Sequence, residues 1–341
     1  MAEEKNKKIK RILIGIGTII LVLFMFIIVD FHSLILKISD IGIWGTSFFV
    51  IVYTLAFIFR ADKLKLIIKG LDQKIKYQTS FFSTGICFFL NDLIPGKLGE
   101  LAKIGIIKDQ ENIKLSESVC GITIERVLDL IILFVISVFA IIYLYFNIFD
   151  NNRAFTILGQ SLQFFLAIGA LIIVIIIIIL ILVIYRTQSI IDILKKFSNR
   201  MATLLGKFII NFKEGMKKYR NHKKELIYII ILGFITWIFD AFIIVIFFYF
   251  LGYRLNIIIL ILAVILLFFS KIFTITPGGW GISENIGALV IFLFYPQIPF
   301  LDILSVFIID HLFRSVFLFF YGGYSMLHYN FNLKEAEQTI L

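Results

Sequence analysis

The sequence predicts an all-α polytopic membrane protein with about six full transmembrane helices and two re-entrant hairpins. Each hairpin is broken at a Pro-Gly step, and the two halves form an inverted repeat. Three observations lead there. Of 341 residues, 60% are hydrophobic and 16% charged, too little polar surface to cover a soluble domain. Several apolar runs exceed about 18 residues, the length of a membrane span. Finally, the apolar sequence is interrupted twice in a similar way, at Asn91-Asp92-Leu93-Ile94-Pro95-Gly96-Lys97-Leu98-Gly99-Glu100 and at Thr274-Ile275-Thr276-Pro277-Gly278-Gly279-Trp280-Gly281-Ile282-Ser283-Glu284. Pro removes a backbone donor and Gly frees the chain, so a helix at membrane depth should stop at each break and restart beyond it.

In chain order, Lys5, Lys7, Lys8, Lys10 and Arg11 precede an apolar run, Ile12 to Val29. That run is too long for a signal peptide and lacks a small-x-small cleavage site, so it reads as an uncleaved span with a cytoplasmic N-terminus. Residues 31 to 41 carry one cation, Lys37, and read as an external loop before a second span from Gly42 to Phe59. Arg60, Lys63, Lys65, Lys69, Lys74 and Lys76 then mark the cytoplasm. Leu64, Ile67, Ile68, Leu71 and Ile75 recur at helical spacing, predicting an interfacial helix in that loop.

Ser80 to Ile94 is too short to span, and Leu98 to Lys108 follows the break as a second limb. Val119 to Tyr145 is a full span carrying Glu125, Arg126 and Asp129 near its start. Asp150 to Arg153 reads as an external turn, and Ile157 to Tyr185 as the return span. Residues 186–225 hold eleven cations between Arg186 and Lys224, with apolar residues stepping at threes and fours. This is a basic amphipathic segment expected to lie on the anionic inner leaflet. Leu226 to Phe250 crosses with Asp240 near its middle. Ile257 to Thr276 leads to the second break and is long enough to span, so 257–295 fits either a re-entrant hairpin or two crossings. Leu301 to Leu327 is the last span, with Asp310, His311 and Arg314 inside it, and the C-terminus is cytoplasmic.

Charge fixes the orientation and narrows the function. The net charge is +10 and the pI about 9.4. The excess flanks the spans, however, with only Lys37, Arg153 and Arg254 in the external turns. Topology in the plasma membrane and contact with anionic lipid therefore explain it, and nucleic acid does not. Two cysteines, Cys87 and Cys120, lie in or beside apolar segments and predict no disulfide framework. Four scattered histidines lack metal-ligand spacing, and no metal or cofactor is expected. One integral membrane domain of 1–341 is expected, with pseudo-repeat halves 1–150 and 151–330. Each half reads span, span, Pro-Gly hairpin, then a span bearing an Arg. Paired breaks in inverted halves point to a transporter's binding site.

The chemistry of the breaks follows from helix ends. A restarted helix presents N–H groups without intrahelical partners and the positive end of its dipole, a setting for an anion. If the two tips meet near the midplane, Lys97, Lys103, Arg126 and Arg314 add positive charge for a phosphate headgroup. The candidate substrate-binding set is Pro95, Gly96, Lys97, Gly99, Glu100, Lys103, Glu125, Arg126, Asp129, Pro277, Gly278, Gly279, Gly281, Glu284 and Arg314. Asp240, Lys271 and Asp310 are candidates for coupling or pairing. Structural alternatives stand beside each. Glu125, Arg126 and Asp129 can neutralise one another along a helix, as can Asp310 and Arg314. Ser283 can cap the second restart, with Glu284 favouring its dipole. His311 reads as a satisfied core histidine.

Taken together, Pro95-Gly96-Lys97-Leu98-Gly99-Glu100 with Lys103, Glu125-Arg126 with Asp129, Pro277-Gly278-Gly279-Trp280-Gly281-Ile282-Ser283-Glu284, and Arg314 with Gly322 resemble the lysylphosphatidylglycerol synthase transmembrane region, a flippase-like integral membrane family. The resemblance covers nearly the whole chain. It implies movement of an anionic lipid, of phospholipid or polyprenyl-phosphate type, between leaflets. Lys97 and Lys103 stand where Arg is expected more often. The longest stretch outside the spans is 186–225, so the soluble aminoacyltransferase module is expected to be absent and no synthase activity is implied. The alternative is a membrane subunit of an aminoacyl-phospholipid synthase or glycolipid transferase system that needs a separate soluble partner.

Overall fold

The computed structural model describes residues 31–94, 97–148, 156–157, 160–161, 186–197, 199–273 and 276–329. The predicted first span, Ile12 to Val29, and most of the return span to Tyr185 lie outside them, as does the turn at Asp150 to Arg153. The described elements are α1 (Phe31–Gly70), α2 (Tyr77–Leu93), α3 (Leu98–Glu111), α4 (Leu115–Ile148), β1 (Thr156–Ile157), β2 (Gln160–Ser161), α5 (Thr187–Phe197), α6 (Asn199–Lys218), α7 (Lys223–Phe250), α8 (Ile257–Phe273), a 3-10 turn (Pro277–Gly279), α9 (Ser283–Phe294) and α10 (Phe300–His328). The two strands form a two-residue antiparallel ladder where the return span was expected to start. Among the described residues, four helices are long and apolar enough to cross a membrane: α1, α4, α7 and α10. Trp44, Phe139, Phe146, Phe320 and Leu327 point outward on them, as a lipid-facing surface requires.

The chain divides into two compact units. Unit 1 comprises 1–58, 81–103 and 236–341, and unit 2 comprises 59–80 and 104–235. In unit 1, the expected external loop at 31–41 is helical instead. Leu34 and Ile41 are buried, and Lys37 is tied to Asp302 at 2.7 Å and to the Ser305 hydroxyl. A single break remains inside α1, at Gly42, whose φ of 61° suits a residue without Cβ. Phe49, Tyr53 and Phe57 of α1 meet Phe317 and Tyr321 of α10 at centroid distances between 4.9 and 6.3 Å. Small residues bring α2 against α10: a Cβ on Gly322 would lie 2.2 Å from the Phe89 Cβ and 3.0 Å from the Gly85 carbonyl oxygen.

In unit 2, the predicted interfacial helix is the continuation of α1. Its apolar stripe faces protein rather than headgroups: Leu64 and Ile68 pack with Ile104, Ile107, Ile113 and Ile122. Ile67 and Leu71 pack with Cys120, Ile124 and Leu128 of α4. The far end of the basic amphipathic segment joins this second cluster through Phe212, Met216 and Tyr219, and the Tyr219 hydroxyl donates to the Ile67 carbonyl at 2.7 Å. Part of its apolar face therefore covers α4. Cys87 and Cys120 are buried and form no disulfide.

Candidate functional site

The interruptions organise the interior of unit 1. α2 has 17 residues, α3 has 14, α8 has 17 and α9 has 12. At about 1.5 Å per residue none reaches the roughly 30 Å of a hydrocarbon core. Pro95 and Gly96 lie outside the described residues. Beside them Lys97 is exposed and left-handed, with φ 58°, and α3 restarts at once. The Asn91 side chain reaches across this break: its Oδ1 accepts from the Gly99 N–H at 3.0 Å, and its Nδ2 donates to Glu100 at 3.4 Å. Gly99 is obligatory there, since a Cβ would fall 2.0 Å from the Cys87 carbonyl oxygen. Lys103 is fully buried one turn on.

The second break is a left-handed run. Pro277 opens a 3-10 turn, and Gly278, Gly279 and Gly281 adopt φ of 60°, 83° and 84°, a backbone that side chains resist. Ser283 does not cap α9. Ile282 holds the N-cap position, and the Ser283 hydroxyl donates back to the Gly279 carbonyl. Glu284 does accept a free donor of this turn, the Gly281 N–H, at 2.8 Å. At each restart, then, one N–H expected to await a guest is held by a side chain of the chain itself.

The two breaks touch. A Cβ on Gly278 would sit 2.7 Å from Asp92 Oδ1, 3.1 Å from the Asp92 carbonyl oxygen and 3.2 Å from His311 Nε2. His311, on α10, bridges them: Nδ1 contacts Glu284 Oε1, and Nε2 lies 3.3 Å from Asp92 Oδ1. The Trp280 indole stacks on the imidazole, centroids 4.0 Å apart and planes 9° apart. Asp92, His311 and Glu284 side chains are 11%, 4% and 1% exposed.

One turn along α10, Arg314 is clasped. Its Nε donates to both oxygens of Asp310 at 2.8 and 2.9 Å, Nη1 to Asp240 Oδ1 at 2.9 Å, and Nη2 to the Asp240 carbonyl at 2.9 Å. Its guanidinium also lies 5.0 Å over the Tyr53 ring. Asp240 is thus an interhelical anchor between α7 and α10, and Arg314 is held by two carboxylates where it stands. Lys271, from α8, lies within electrostatic reach of Glu284, Asp92, Arg314 and Asp310.

Glu125, Arg126 and Asp129 belong to unit 2. Arg126 contacts each carboxylate at 3.7 Å, and Lys63 from α1 donates to Asp129. Two carboxylates and two cations balance there, with the Arg126 side chain 32% exposed.

Asp92, His311 and Trp280 are absent from the candidate set that the sequence offers: Asp92 and Trp280 read only as parts of the breaks, and His311 as a core histidine. A signal was present. Glu284 and Asp92 each place a carboxylate at a break, buried carboxylates demand partners, and His311 is the histidine deepest inside an apolar run.

A helical membrane protein with paired helix breaks joined by a buried polar bridge is the class these features define. The family model described as the lysylphosphatidylglycerol synthase TM region matches residues 11–322, and the chain belongs to that family. Membership places it among membrane proteins connected with lipid handling. No curated protein and no solved structure matches it.

Proposed function

We propose that this chain moves an anionic lipid, of phospholipid or polyprenyl-phosphate type, between leaflets of the plasma membrane, with the two helix breaks of unit 1 as the passage for the headgroup. The observation that carries this is the contact between the breaks: Asp92 before the first restart meets the backbone of Gly278 in the second. Two interrupted helices sharing one polar bridge inside an apolar bundle can be parted and rejoined without unfolding any full span. In this reading Lys97, exposed at the restart of α3, meets the phosphate together with backbone N–H groups of the breaks. Arg314 keeps the bridge in place from behind. The short limbs enter and leave from one side as re-entrant hairpins, giving six full spans with both termini cytoplasmic. Residues 186–225 rest against the inner leaflet.

The test is reconstitution into liposomes with a headgroup-labelled phosphatidylglycerol, followed by chemical quenching of the outer leaflet. Leaflet exchange well above that of empty vesicles is expected. Exchange no faster than in empty vesicles, with both phosphatidylglycerol and a polyprenyl phosphate, overturns the proposal.

A further inference from the structure

The Asp92–His311–Glu284 bridge holds more acceptors than a neutral histidine can serve. Neutral imidazole has one N–H donor and one bare nitrogen, and an ionised carboxylate only accepts. His311 faces a carboxylate oxygen at each ring nitrogen, Glu284 at Nδ1 and Asp92 at Nε2. To fill both contacts, the trio needs one proton beyond neutral imidazole with two carboxylates. That proton resides either on the ring, as imidazolium, or on one carboxyl. The parallel Trp280 face, 4.0 Å away, suits a cationic ring. Among the described residues no cluster of His, Cys, Asp or Glu is arranged to hold a metal ion.

Charged groups from several helices surround the bridge. Glu284 comes from α9 and Asp92 from α2. Lys271 of α8 acts on both, and Asp310 of α10 also acts on His311. Arg314 of α10 is engaged by Asp310 and by Asp240 of α7. Among the described residues, the carboxylates Asp92, Asp240, Glu284 and Asp310 and the cations Lys271 and Arg314 belong to this connected network. Asp92, at 11% exposure, is the more exposed end of the bridge.

We propose that Asp92, His311 and Glu284 form a proton-binding site carrying one exchangeable proton, whose presence ties the first helix break to the second. When the proton leaves, only one of the two contacts keeps a hydrogen. The Asp92 link, 3.3 Å long and at the more exposed end of the bridge, is released, and the end of α2 is freed from α10 and the Gly278 turn. The proton is in this sense a second ligand of the site. Its coupling to lipid rests on the transport reading, whereas proton binding itself does not.

Trp280 is the built-in reporter, because a stacked imidazolium quenches indole emission. A chain with Trp44→Phe and Trp237→Phe leaves Trp280 as the sole tryptophan. Its emission is followed from about pH 4 to about pH 9, across the ordinary carboxylate and imidazole ranges. A one-proton transition is expected, absent in His311→Gln and moved in Asp92→Asn. Asp92→Asn changes the accessible end of the bridge and serves where His311→Gln does not stay monodisperse. A flat profile from the monodisperse reporter chain overturns the proposal, as does an unmoved midpoint in Asp92→Asn. In liposomes, lipid exchange is then measured with and without an imposed pH gradient. A titrating Trp280 without lipid exchange keeps the proton site and removes transport. Lipid exchange with a non-titrating Trp280 keeps transport and removes the proton site.

Discussion

Replacing Arg314 by Gln separates a structural clasp from a lipid ligand. Arg314 is 5% exposed, Asp240 0% and Asp310 5%. The guanidinium spends its Nε and one donor from each Nη on those two residues. Gln keeps part of the volume and some hydrogen bonding, but leaves two carboxylates buried without their shared cation. Removing one partner of a buried ion pair costs about 3–5 kcal/mol, and here one cation serves two anions, so the upper part of that range is expected. Individual hydrogen-bond values cannot be added to reach it, because the donors act as one unit. Equilibrium unfolding in mixed micelles reads the loss. Arg314→Gln with Asp240→Asn and Asp310→Asn removes the orphaned charges together and should recover most of the stability. If the triple variant also exchanges lipid normally, Arg314 acts on the fold alone. A single variant within about 1 kcal/mol of the parent refutes the reasoning, as does a triple variant no more stable than the single.

Gly278→Ala adds a Cβ at φ 60° and within 3.1 Å of the Asp92 backbone. The left-handed conformation and the overpacking together should cost about 2–4 kcal/mol by the same unfolding measurement. Gly323→Ala on α10, with nothing within 4 Å of its new Cβ, should be neutral or stabilising by up to about 1 kcal/mol. Burial pushes the Tyr219 phenol well above its ordinary value. The folded chain then holds this proton where the unfolded chain loses it. The Tyr219 contribution is whole below about pH 10 and declines above it at about 1.4 kcal/mol per pH unit. Tyr219→Phe should flatten that alkaline decline at a constant cost of about 1 kcal/mol for the lost bond to Ile67. An alkaline slope unchanged in Tyr219→Phe would show that other groups set it.

Periodicity and glycine carried most of what the sequence revealed. The limbs around Pro95 and Pro277 end where Pro and Gly forbid a continuing helix, and Gly42 marks a real break in α1. Charge misled where it was paired. Lys37 reads as the mark of an exposed loop, yet Asp302, 265 positions away, holds it on a helix. The stripe at Leu64, Ile67 and Ile68 announces an amphipathic helix but cannot say whether lipid or protein covers it. Arg314 reads as a phosphate clamp until Asp240 arrives from 74 positions away. His311 reads as a satisfied core histidine and is buried with both ring nitrogens in contact, but its partners Asp92 and Glu284 lie 219 and 27 positions off and are not legible locally. Local pattern specifies elements, whereas the balancing of buried charge is settled by neighbours distant in sequence.

The glycine seam between α2 and α10 bears on how any motion of the breaks is transmitted. With Gly322 against Phe89 and Gly85, the two backbones are too close to slide past one another without lifting a phenyl ring out of its seat. α2 is thereby splinted to α10 between Gly85 and Phe89. Any parting of the breaks would then have to be taken up by the few residues around Asn91 and Asp92, beyond the seam.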